Sequence, residues 1–64
     1  MSKNDGLEWF RNWAKEANYN ELLEERKAAR FLLQELCEDS ENHKVTRQRL
    51  GIVEKNIREI ERAG

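Results

Sequence analysis

Cys37 and His43 are the only cysteine and the only histidine in this 64-residue chain, and so its only thiol–imidazole pair for soft metal ligation or nucleophilic catalysis. A tetrahedral zinc site takes four such ligands. One cysteine and one histidine, six residues apart, fall short of that within a single chain, so only a site shared between subunits would reach the number. A catalytic thiol needs an imidazole beside it and an acid to orient the pair. Cys37 instead reads as a small apolar residue at the edge of a helix seam, inert among leucines. His43 reads as a solvated residue of a loop or first helical turn. Carboxylates are plentiful, but Glu21, Glu24, Glu25, Glu35, Glu38 and Asp39 fall on a solvated helix face. General acid–base work requires two carboxylates in a pocket that drives their pKa values apart. The chain also lacks a glycine-rich phosphate loop, a serine-centred elbow and a histidine-rich helix. The expectation is a protein that is not an enzyme and holds neither metal nor cofactor.

Two other groups of residues suit binding. His43-Lys44-Val45-Thr46-Arg47-Gln48-Arg49 concentrates basic and amide side chains, and Lys44, Arg47, Gln48 and Arg49 would reach phosphates or base edges if this helix end entered a groove. The aromatic residues make the second group. Trp9, Phe10 and Trp13 fall within five positions, and Tyr19 and Phe31 follow. Such side chains are over-represented among interface anchors. Phe10 and Trp13 can also be used internally, to cap a helical core. Trp9 and Phe31 lie away from the faces their neighbours bury, and exposed together they exceed what a soluble monomer usually shows.

Composition narrows the choice. A chain this short buries only about 60% of its unfolded surface, and a single cysteine excludes an internal disulfide. Helix packing or oligomerisation is left to stabilise it. Proline is absent and glycine occurs three times, which suits helices and disfavours a β-sandwich or barrel. The net charge is −1. Residues 1–39 carry six basic and nine acidic side chains, and residues 40–64 six basic and four acidic. That dipole favours antiparallel pairing of the halves, or of two copies, over a nucleic-acid stripe. No apolar run approaches the roughly 18 residues of a membrane span, and no hydrophobic signal region follows Met-Ser-Lys-Asn-Asp-Gly. With one unpaired thiol, this predicts a cytoplasmic protein without membrane contact.

The elements that position these residues are helices. Leu50, Val53, Ile57 and Ile60, with Thr46 a step earlier, recur at three- and four-residue spacing, the narrow seam of a helix packed lengthwise on another. Its partner carries Leu22, Ala29, Leu33 and Leu36, flanked by Leu32 and Cys37, while Leu23 and Phe31 fall outside that row. Val45, Ile52 and Ala63 form a shoulder beside the last seam. Gly51 costs about 1 kcal/mol relative to alanine inside a helix, and close approach of a neighbouring backbone or a bulky ring, such as a tryptophan, would explain it. Asp5 with Glu8, and Asn18 with Glu21, have capping-box spacing. Asp39-Ser40-Glu41-Asn42 is a short polar loop.

The resulting expectation is one all-α domain over residues 1–64, with helices at about 6–17, 19–38 and 43–63. A short N-terminal amphipathic helix precedes an antiparallel helical hairpin, which assembles into a helical-bundle oligomer. Function then lies in helix–helix contact, as a homodimer or as a small regulatory module docking on a larger protein. The interface candidates are Trp9, Phe10, Trp13, Leu23, Phe31, Val45 and Ile52. The alternative is a small nucleic-acid-binding regulator using Lys44, Arg47, Gln48 and Arg49.

Overall fold

Three helices, and no strand among the described residues, make up the computed structural model, which describes residues 7–63. They are α1 (Glu8–Glu16), α2 (Tyr19–Glu35) and α3 (Glu41–Ala63). The chain is all-α.

The boundary between α1 and α2 is set by Asn18. Its Oδ1 accepts the Glu21 N–H at 2.8 Å, and Glu21 Oε1 accepts the Asn18 N–H at 3.0 Å. The expected capping box is present, and it satisfies two backbone donors that would otherwise be orphaned. Just before it Ala17 is extended, and its N–H donates to Trp13 O at 2.9 Å, closing α1.

The other helix ends differ from expectation. Asp5, half of the capping box proposed with Glu8, lies outside the described residues. Leu7 takes the N-cap position of α1 without a side-chain cap, and is itself buried. Helix α2 stops at Glu35 rather than Glu38, because Leu36 is extended with φ −92° and ψ 150°. Its last turn holds no basic residue, while Glu35, Glu38 and Asp39 put negative charge at the negative end of the helix dipole. Helix α3 starts at Glu41, two residues earlier than expected. Ser40 Oγ accepts the His43 N–H at 3.1 Å and donates to Cys37 O at 2.8 Å, so one hydroxyl ties the loop to the first turn.

Helix α3 is the central element. Both α1 and α2 pack on it, while α1 and α2 scarcely meet. The Cα extents of 37 × 32 × 15 Å describe a flat arrangement. Tyr19, at the start of α2, reaches Glu61 near the end of α3, and Arg30 reaches Glu54, closer to the connecting loop. The apolar core joins Leu7, Phe10 and Ala14 of the N-terminal segment to Leu22 of α2 and Val53 and Ile57 of α3. Val45 and Ile52, the shoulder of α3, pack against it together with Trp13, Ala17 and Leu23.

The seam of α3 is buried at Thr46, Val53 and Ile57 and half-buried at Leu50, but exposed at Ile60. Since α2 begins opposite Glu61, the end of the seam has run out of partner. Gly51 also departs from expectation. It is exposed, and a Cβ built there meets nothing within 4 Å. Neither a ring nor a neighbouring backbone among the described residues needs its small size.

Candidate interaction surface

The exposed aromatic residues sit on two different surfaces. Trp9 is 60% exposed on α1 and Phe31 is 61% exposed on α2. Trp9 and Phe10 meet in a T-shaped arrangement, 5.9 Å between ring centroids and with the planes 84° apart. Phe10 is buried in the core, and the half-buried Trp13 lies 5.4 Å from it. Arg49 of α3 reaches across both rings, its guanidinium carbon 5.2 Å from the Phe10 centroid and 5.7 Å from that of Trp9. Its planar cation suits the negative faces of the rings. Trp9 is thus attached to the fold through α3 while most of its surface remains in solvent.

Among the described residues Phe31 has no such ring or cation contact. With Leu23, Lys27 and Arg30 it lines an open groove of about 520 Å³ built from α2 residues alone. Arg30 bridges from this groove to α3, its Nη2 donating to Glu54 Oε2 at 3.1 Å. Leu32, expected beside the α2 seam, is also exposed. The outer side of α2 therefore carries apolar and charged side chains that the other described residues leave uncovered. Leu23, Val45 and Ile52, the remaining interface candidates, are half-buried against the chain's own core.

The basic start of α3 is divided. Lys44, Arg47 and Gln48 are exposed and line a shallow depression of about 380 Å³. Arg49 is half-buried on the aromatic rings, and its Nε is buried without a hydrogen-bond partner. Three of the four nucleic-acid candidates share a surface, and the fourth serves the core of α1 and α3.

Cys37 and His43 exchange the roles expected of them. Cys37 is exposed in the loop after α2, because the helix ends before it. His43 is only 8% exposed, and its Nδ1 is buried with no partner. The early start of α3, fixed by Ser40, places His43 in the first turn. His43 borders an open groove of about 610 Å³ with Leu33, Leu50, Gly51 and the acidic Glu38, Asp39 and Glu54. Among the described residues no three His, Cys, Asp or Glu side chains are grouped to hold a metal ion.

The sequence reading missed the Tyr19–Glu61 hydrogen bond of 2.7 Å. A polar residue just after an N-cap and another near the end of the last helix carry no periodic signal. They meet only because α2 and α3 pack in this register. No protein-family model, curated protein or solved structure matches the chain. Among the described residues, no helix is long and apolar enough to cross a membrane.

Proposed function

We propose that this chain is a non-enzymatic interaction module: an antiparallel helical hairpin of α2 and α3, braced by α1, that works as a homodimer through helix–helix contact in the cytoplasm. The observation that carries this reading is Phe31, a ring 61% exposed on a helix side that no other element covers among the described residues. Fully burying a phenylalanine side chain contributes about 1.5–3 kcal/mol, and a twofold dimer gains that twice. The flat arrangement supports the same reading, since a layer 15 Å thick leaves broad helix faces to solvent. A larger protein docking on the same face is the variant in which Phe31 meets a different chain.

Sedimentation across a wide dilution series tests the proposal, run with and without added DNA and RNA. A dimer that dissociates on dilution and ignores nucleic acid supports it. A protein at the mass of one chain throughout overturns self-association. A monomer that gains mass on nucleic acid would favour the exposed Lys44, Arg47 and Gln48 surface instead.

A further inference from the structure

The uncovered side of α2 is symmetric about Lys27. Three residues to either side stand Glu24 and Arg30, four to either side Leu23 and Phe31, and seven to either side Asn20 and Gln34. Offsets of three, four and seven return to the same face of a helix, so these side chains form one stripe. Leu23 is half-buried and the rest are exposed. All but Asn20 line the same open groove.

We infer that this stripe is where a second copy of the chain docks, α2 lying antiparallel on the partner's α2 with the twofold axis at Lys27. The inference rests on the homodimer proposed above and gives it a geometry. A twofold axis at position 27 brings each residue against the one equally far on the other side. Glu24 then faces the partner's Arg30, and Leu23 faces the partner's Phe31. Asn20 faces the partner's Gln34, and each pairing occurs twice. Opposite charges and apolar groups fall together, as isologous association requires. A parallel pairing would set Arg30 against the partner's Arg30 and Glu24 against the partner's Glu24. Charge therefore selects the antiparallel arrangement.

Arg30 can serve both contacts. Its guanidinium carries five N–H donors in a planar fork, and the structure uses Nη2 toward Glu54. Lys27 is the one residue that meets its own kind. Two ammonium groups near the axis repel, although the long stems can turn the charges outward. The repulsion makes the dimer weaker than its apolar contacts alone would allow, and replacing Lys27 with methionine relieves it.

The test is complementation between two charge-reversed proteins, followed by sedimentation, with helicity checked by circular dichroism. Glu24→Lys alone sets positive against positive at both paired sites, and Arg30→Glu alone sets negative against negative. Each is expected to lose dimer by itself. Mixed in equal amounts they restore both pairs, and the dimer returns. A general loss of folding in either variant would not be repaired by mixing. The second measurement is oxidative cross-linking in a Cys37→Ser background, Cys37 being the only cysteine. A thiol introduced at Lys27 is expected to form covalent dimer faster than one at the exposed Lys55 of α3. A parent protein that never dimerises overturns both this geometry and the homodimer. A parent dimer without complementation, and without preferential cross-linking at position 27, overturns the geometry and leaves the homodimer standing.

Discussion

Tyr19 Oη donates to Glu61 Oε2 at 2.7 Å, joining residues 42 positions apart. The bond links the first residue of α2 to the last turns of α3. It also raises the Tyr19 pKa above its ordinary 10.0, because the hydrogen bond to the Glu61 carboxylate, and then desolvation and the negative charge nearby, oppose phenolate formation. A group whose pKa is raised on folding stabilises the fold below its unfolded value. That contribution is lost as pH rises through the folded value. The Tyr19 contribution should therefore be present below about pH 10.0 and be lost as the pH rises from there through the folded value. Tyr19 is the only tyrosine, so an ultraviolet titration reads it alone. Glu61→Gln should bring its pKa back toward the ordinary value, and an unchanged titration would count against the bond.

Val53 is fully buried and Ile57 nearly so. Ile57→Ala should cost about 2–5 kcal/mol, and Val53→Asp more, since an unpaired carboxylate would enter the core. Domains of this kind hold only about 5–15 kcal/mol in total. Urea denaturation followed by circular dichroism should find Val53→Asp unfolded in water, and a parent-like midpoint would displace Val53 from the core.

Gly51→Ala should stabilise the protein by about 0.8–1.0 kcal/mol, the helix-propensity difference between the two residues. Nothing lies within 4 Å of the added Cβ, so no clash offsets the gain. Thermal denaturation reads this as a higher midpoint. A lower one would mean that the open groove beside Gly51 is filled in solution.

Arg47 and Arg49 should separate under substitution. Arg47 is exposed, and Arg47→Gln should stay within about 0.5 kcal/mol of the parent. Arg49→Gln removes the cation over Trp9 and Phe10, a contact worth about 0.5–1 kcal/mol at exposed sites, together with the packing of its stem. Tryptophan fluorescence should change for Arg49→Gln alone.

Apolar spacing and cap chemistry were the legible parts of this chain. Leu22, Val53 and Ile57 fall in the core where three- and four-residue periodicity puts them, and Asn18 caps α2 as its residue type suggests. Periodicity does not say where a partner helix runs out. Ile60 satisfies the pattern yet is exposed. Nor does it resolve competition at helix ends. Ser40 draws His43 into α3, and the acidic end of α2 releases Cys37 into the loop. Of the candidate surface, the exposed Phe31 and Trp9 could be read as residues off the seam. The stacking of Arg49 on α1 depended on three-dimensional register, which a single sequence does not display.

The core gathers where α1 crosses α3, and this makes the molecule unequal along its length. Around Leu22, Val53 and Ile57 three segments close over one cluster. Toward the loop the fully buried residues are the small or polar Ala29, Thr46 and His43, and the larger Leu33, Val45 and Leu50 are only half-buried, so less apolar area is removed from water there. Backbone amide hydrogens in the two halves of α3 should consequently exchange with solvent at different rates, those near Val53 and Ile57 only on global unfolding. Those near the start of α3 should exchange through local opening. A protease would enter the chain around residues 36–40, through an excursion in which the far ends of α2 and α3 stay closed.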